Sequence, residues 1–172
     1  MRVRQLYQEL KQDLAPVDVR LLMCAVLQFS HEDFVARDED EITPEQEQQI
    51  RSYATLRHQG CPVAKIIGKK EFYGRDFVTS IYTLDPRPDS ETLIEAVLPL
   101  IDSATPFKLL DLGAGTGCLL LTLLAERPLA TGLAVDQSAE ALQIVQQNAE
   151  RLDLLARVRL HQGDWASGVA EM

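Results

Sequence analysis

Leu110-Asp111-Leu112-Gly113-Ala114-Gly115-Thr116-Gly117 is the stretch whose reading decides the fold. Phe107, Leu109 and Leu110 make its approach apolar. Cys118-Leu119-Leu120-Leu121-Thr122-Leu123-Leu124-Ala125, rich in helix formers, follows it. A strand that turns through glycines into a helix brings backbone N–H groups close to a ligand. Such a turn is expected in a nucleotide-binding α/β domain.

Reading outward, 108–112 forms a strand and 117–126 a helix that is apolar on nearly every side. Residues 132–135 form a second strand, ended by Asp136. Ser138 caps the next helix, with Leu142, Val145, Ala149 and Leu152 facing inward. Residues 157–161 alternate polar and apolar, as an edge strand does. Strand and helix units in alternation predict an α/β fold with a parallel, doubly wound sheet.

The upstream part reads differently. Val3, Leu6, Tyr7, Leu10 and Leu14 recur at helical spacing, and Pro16 opens a second helix carrying Leu22, Ala25, Val26 and Phe29. Thr43-Pro44-Glu45-Gln46 holds the elements of a capping box with proline at the first helical position; Gly60 ends that helix. Residues 1–67 are expected to form a small helical bundle. Glu71-Phe72-Tyr73-Gly74-Arg75-Asp76-Phe77-Val78 predicts a hairpin, and 68–88 reads as a hairpin linker. Asp85-Pro86-Arg87-Pro88-Asp89 is stiffened by its prolines. Asp89 or Ser90 would cap a helix with Leu93, Ile94, Val97, Leu98 and Ile101 inward, opening a third segment, 89–172.

The glycine spacing narrows the ligand. A dinucleotide fingerprint wants its third glycine where Cys118 stands, which disfavours NAD; no Gly-Lys-Ser/Thr follows, which excludes a P-loop. Asp136 can accept hydrogen bonds from both ribose hydroxyls of an adenosine ligand. In Gly163-Asp164-Trp165, Asp164 can accept from an adenine amino group, and Trp165 can either cover the adenine face or pack in the core. Asp111, ahead of the loop, can hold the amino group of a methionine moiety; buried without a partner it would be costly. Together these residues favour S-adenosylmethionine.

Composition sets bounds. The 172 residues carry a net charge of -9, and residues 83–172 hold 13 acidic side chains against 6 basic. That balance argues against nucleic-acid binding. Lys65, Lys69, Lys70 and Arg75 form a local basic cluster that reads as a solvated face. No stretch suits a membrane span, and nothing at the N-terminus reads as a signal peptide. Cys24, Cys61 and Cys118 are spaced as reduced, mostly buried thiols of a cytoplasmic protein, and no His/Cys/Asp spacing suggests a metal site.

Asp111 to Gly117, with Asp136 and Asp164-Trp165, resembles the class I S-adenosylmethionine-dependent methyltransferases. Glu71-Phe72-Tyr73-Gly74 and Pro86-Arg87-Pro88-Asp89-Ser90-Glu91 resemble the protein-(glutamine-N5) methyltransferases of peptide chain release factors, the HemK/PrmC family. That family usually has Thr where Ser90 stands. The resemblance implies a helical substrate-recognition domain, a hairpin linker and the first half of a Rossmann-like catalytic domain. It implies that Gly113, Ala114, Gly115, Thr116, Gly117, Asp136 and Trp165 contact the cofactor. It places Pro86, Arg87, Pro88, Asp89 and Glu91 near the active-site mouth. The implied substrate is the glutamine of a Gly-Gly-Gln loop in a class I release factor.

One family motif is absent. The Asn-Pro-Pro-Tyr that places the substrate amide occurs nowhere in the 172 residues. The chain is therefore expected to be truncated, to carry no catalytic residue and to be inactive alone. In the family's strand order, 108–112 would then have an unpaired edge, which invites self-association. Two other readings remain: a non-catalytic S-adenosylmethionine-binding module, and an N-methyltransferase acting on another protein or on DNA.

Overall fold

The structure, a computed structural model, describes residues 1–167. The end of the 89–172 segment, from 168 on, lies outside the described residues. The chain divides into two compact units, Met1–Ile67 and the part from Gly68 onward.

The first unit is helical: α1 (Val3–Leu10), α2 (Pro16–Leu27), α3 (His31–Ala36), α4 (Pro44–His58) and α5 (Val63–Ile67). Its core gathers Val3, Leu6, Val19, Met23, Phe34, Ile42 and Ile50. The capping box at α4 forms as the sequence implies. Thr43 Oγ1 accepts from the Gln46 N–H at 3.2 Å, and Gln46 Oε1 accepts from the Thr43 N–H at 2.9 Å. Two of the helix's orphan donors are thereby satisfied. Pro16 occupies the first turn of α2, where its missing N–H costs nothing.

The second unit opens with the hairpin β1 (Lys69–Phe72) and β2 (Arg75–Val78), turning through Tyr73 and Gly74, both at positive φ. After α6 (Glu91–Val97) come β3 (Lys108–Leu112), α7 (Cys118–Glu126), β4 (Thr131–Asp136), α8 (Ala139–Arg151) and β5 (Val158–Gln162). The last three strands form a parallel sheet in the order β3-β4-β5. Period-two alternation turns Leu109, Ala134, Val158 and Leu160 to one face, where they pack with Ile94, Leu120, Leu121, Leu124, Val145 and Ala149. Arg157 ties the end of α7 to the sheet: its Nη1 donates to the carbonyls of Leu124 and Arg127 at 2.7 and 3.0 Å.

Three expectations change. Residues 68–88 do not behave as a linker. Phe72 and Phe77 are fully buried in the same core as the α7 leucines, and their rings meet edge to face at 6.1 Å. Burying two phenylalanines is worth more than an exposed hairpin could recover in turn geometry. Arg75 fastens the hairpin further by an ion pair to Glu126 at 2.6 Å. Next, neither Asp89 nor Ser90 caps α6. Pro88 already starts a 3-10 turn there, so Ser90 has helical angles and no side-chain cap bond. Leu93 is half exposed, and Ile94 takes the inward place. Finally, the sheet is not covered on both faces among the described residues. The strand order advances in one direction, and right-handed crossovers then put α7 and α8 on the same side.

Lys108, Leu109, Leu110, Thr131, Gly132, Leu133, Ala156, Arg157 and Arg159 consequently border a groove of about 420 Å³ along the sheet. Leu110 is 49% exposed there. β3 pairs with β4 alone among the described residues, so its outer edge is open. The three cysteines are free thiols, half-buried rather than fully buried. Of the basic cluster, Lys69 pairs with Asp76 at 2.6 Å and Arg75 with Glu126, as a solvated face allows.

Candidate functional site

The site is built where β3 meets α7. Gly113, Gly115 and Gly117 all have positive φ, at 77°, 55° and 75°. A side chain would strain each of these positions, and the alternating pattern makes the loop possible only with glycine at every second residue. The Gly113 and Ala114 N–H groups donate to the Val135 carbonyl at 2.9 and 3.0 Å, pinning the loop to the end of β4. Thr116 and Gly117 are buried beneath it.

Asp136 ends β4 and governs the loop. Its Oδ2 accepts from the Gly115 N–H at 2.9 Å, and its Oδ1 accepts from the Ser138 N–H at 3.0 Å. Two fixed backbone donors lock the carboxylate's rotamer, and each oxygen keeps a further lone pair for a ligand. Ser138 in turn caps α8 by accepting from the Ala141 N–H at 3.0 Å. Gly113, Asp136, Gln137, Gly163, Asp164 and Trp165 line a cleft of about 190 Å³. Trp165 is 73% exposed and stands at φ 51°. Trp165 therefore lines the cleft and does not pack in the core.

Other residues sit elsewhere. Asp111 is on β3 below the loop and does not line the cleft. Burial pushes its carboxyl above the ordinary carboxylate range; the Leu120 N–H at the first turn of α7 draws it back, and the Asp136 charge adds to the rise. The burial cost that the sequence implied is therefore only partly offset, and the neutral carboxyl is favoured. Ala114, Gly115, Thr116 and Gly117 shape the loop from beneath without lining the cleft. Pro86 is buried, while Arg87, Pro88 and Asp89 are exposed, and none of them borders the cleft. Glu91 is engaged with the hairpin instead: its Oε1 accepts from the Tyr73 N–H at 3.0 Å. Tyr73 is in the left-handed region, so this bond holds a turn that a non-glycine residue resists.

Two residues that sequence reasoning passed over belong to this architecture. Gln137 lines the cleft beside Asp136. Asn148 is buried on α8 and donates to the Thr116 carbonyl inside the loop at 2.9 Å. A lone asparagine on the inner face of an amphipathic helix was the available signal. No group of His, Cys, Asp and Glu among the described residues could hold a metal ion, and no helix is long and apolar enough to cross a membrane. The cleft's donor set fits an adenosine-bearing ligand: an anchored carboxylate, a second carboxylate and an exposed indole around glycine backbone.

The comparisons with known proteins match a stretch of each of these two parts. Residues 2–68 match the PrmC N-terminal domain, and residues 105–171 match a methyltransferase domain. The release factor glutamine methyltransferase of Rhodospirillum rubrum is 40% identical over 153 residues, covering 89% of this chain and 47% of that protein. That of Agrobacterium fabrum is 40% identical over 153 residues, covering 87% and 53%. The chain therefore spans about half the length of these relatives. A solved S-adenosylmethionine-dependent methyltransferase from Agrobacterium tumefaciens shares the fold. Its TM-score is 0.50 at 19% identity, over 60% of this chain and 34% of that one. With a PrmC N-terminal domain followed by a methyltransferase domain, the chain is similar over most of its length to the release factor glutamine methyltransferases, of which it spans about half.

Proposed function

We propose that this sequence supplies the methyl-donor half of an enzyme that methylates the amide nitrogen of a glutamine in a class I peptide chain release factor. The target glutamine is that of the Gly-Gly-Gln loop, and the enzyme works in the cytoplasm. One observation carries the reading: the Asp136 carboxylate is tied to the Gly115 N–H while facing the same cleft as Asp164 and Trp165.

In this reading S-adenosylmethionine, when bound, supplies an electrophilic methyl group on a sulfonium. The chain's own residues do the rest of the holding. Asp136 accepts the ribose hydroxyls. Asp164 accepts from the adenine amino group, and Trp165 covers the adenine and excludes water. The glycine loop lets the backbone come close. A weakly nucleophilic amide needs orientation above all, and a rigidly held donor fixes one side of that geometry. The residues that receive the substrate amide are not among these 172; the chain has no Asn-Pro-Pro-Tyr. This chain alone is accordingly inactive, and Pro86 to Glu91 act by shaping the hairpin side of the mouth. The open edge of β3 and the apolar groove beside it pair with a second copy at high concentration.

Two measurements test this. Calorimetric titration of S-adenosylhomocysteine into the chain is expected to show one-to-one binding, and no heat of binding would sink the cleft assignment. Labelled methyl is expected to pass from S-adenosylmethionine to a class I release factor with a protein containing this sequence and the Asn-Pro-Pro-Tyr segment. Transfer to DNA or to an unrelated protein instead would sink the substrate assignment.

Asp111 adds a third expectation. We assign it the ligand's amino group through a bridging water, from its place below the loop, and its raised pKa sets the sign of a pH effect. The folded state holds this proton more tightly than the unfolded chain. Stability is therefore lost as the pH rises from the unfolded carboxylate value, about 3.9, through the higher folded one. Asp111→Asn removes that loss. Its melting temperature should exceed the parent's at pH 7, and the gap should close below about pH 4. Binding of S-adenosylhomocysteine should fall roughly tenfold or more, as expected for a lost charge-assisted bond. Equal melting at both pH values would remove Asp111 from the account.

A further inference from the structure

Asn148 touches both the glycine loop and the hairpin. Its Oδ1 accepts from the Val78 N–H at 2.7 Å. Its Nδ2 donates to the Val78 carbonyl at 3.0 Å and to the Thr116 carbonyl at 2.9 Å. The residue is 1% exposed. Val78 closes β2 opposite Lys69, and the neighbouring Thr79 N–H bonds back to the Gly68 carbonyl at 3.0 Å. Successive residues of an antiparallel pair point their backbone groups in and out by turns, so those of Val78 face away from β1. The Asn148 amide meets them as the peptide group of a third strand would.

The Thr116 carbonyl lies between two glycines at positive φ. Fixing it fixes the Thr116–Gly117 peptide plane, which those glycines would otherwise leave free to rotate. The loop is thus gripped from two sides, at the Gly115 N–H by Asp136 and at the Thr116 carbonyl by Asn148. The hairpin is itself anchored at its turn by Glu91 and at Arg75 by Glu126. A continuous set of hydrogen bonds therefore runs from the Pro-Arg-Pro-Asp-Ser-Glu segment through the hairpin to the loop.

We propose that Asn148 is a positioning residue of the cleft: it makes retention of the methyl donor depend on the docked hairpin as well as on Asp136. The proposal rests on the cleft being the S-adenosylmethionine site. Only a primary amide meets the need, because it accepts and donates from one planar group. A carboxylate cannot donate to the two carbonyls, and an aliphatic side chain would leave three buried backbone groups unmatched.

The test is titration of S-adenosylhomocysteine, well below the unfolding transition, into the parent and two variants. Asn148→Asp keeps the acceptor for the Val78 N–H and sets a carboxylate oxygen against two carbonyls. Val78→Pro removes the N–H that Asn148 accepts and sets the proline ring against Asn148 Oδ1, so it breaks the hairpin contact without changing a residue of the loop or the cleft. Asn148→Asp should weaken binding roughly tenfold, and Val78→Pro about threefold or more. Amide exchange at Gly115 should quicken in both. A purely structural role would lower melting temperature and leave affinity and Gly115 exchange at parental values, which overturns the proposal. Weakening by Asn148→Asp alone overturns the dependence on the hairpin. A parent that binds no S-adenosylhomocysteine overturns the cleft reading beneath. Should Asn148→Asp fail to fold, Val78→Pro decides.

Discussion

Asp136→Ala should abolish measurable binding of S-adenosylhomocysteine, weakening it at least about a hundredfold, while the chain stays folded. Two effects add. The ligand loses a carboxylate that accepts its hydroxyls; each hydrogen bond to a charged group is worth about 1.5–3 kcal/mol. The Gly115 and Ser138 N–H groups also lose their acceptor, so the middle of the loop loses its side-chain tie to β4 while the Gly113 and Ala114 bonds to the Val135 carbonyl remain. Helix α8 survives because Ser138 keeps its own cap to the Ala141 N–H. Asp136→Asn separates the two effects. One amide oxygen can serve the Gly115 N–H or the Ser138 N–H, not both in the present geometry. Its affinity should fall between parent and Asp136→Ala. Parental affinity in Asp136→Ala, read by calorimetry, would move the ligand elsewhere.

Gly117→Ala should cost about 3 kcal/mol of stability and lower the melting temperature by on the order of 10 °C. A Cβ on Gly117 would lie 2.9 Å from Val145 Cγ1 and 3.2 Å from Leu121 Cδ1. Val145 and Leu121 are both fully buried, so neither can swing aside. The backbone adds its own penalty, because φ of 75° places Cβ against the following carbonyl. Adding Val145→Ala makes room and should restore the packing part alone. The double variant should thus sit above Gly117→Ala and below Val145→Ala in a thermal melt. Gly113 and Gly115 have open space around a built Cβ, so their substitutions should cost only the backbone penalty of about 1–2 kcal/mol. A melt of Gly117→Ala within about 2 °C of the parent, the effect of roughly half a kcal/mol, would contradict the close approach of α7 and α8.

The sheet, its helices and the caps were legible because they rest on local rules. Thr43 and Gln46, Pro16 and Ser138 act within four residues of the groups that they satisfy, and the chain order states them outright. The alternation of Leu109 and Val158 with more exposed neighbours follows from the two-residue period of a strand. The hairpin was legible as a hairpin, but its place was not. Whether Phe72 and Phe77 cover a linker or enter a core depends on Leu120 and Ile94, which are distant in sequence. The same limit applied to Glu91. Its motif was recognisable, but its bond to the Tyr73 N–H spans 18 residues and needs the turn to exist first.

For the cleft, the order of residues already names the parts: three glycines two apart, a carboxylate at the end of the next strand, an acid and an indole after the third. These depend on strand ends, which the period of the chain reveals. How the parts are held is a product of folding. It turned the Asp136 carboxylate onto the Gly115 N–H, set Asp111 under the first turn of α7 instead of in the cleft, and stood Trp165 at the rim. It also brought Asn148 between Val78 and Thr116, across 70 and 32 residues of chain. Backbone groups carry no sequence signature, so a side chain whose partners are all backbone becomes readable only once the chain has folded around it.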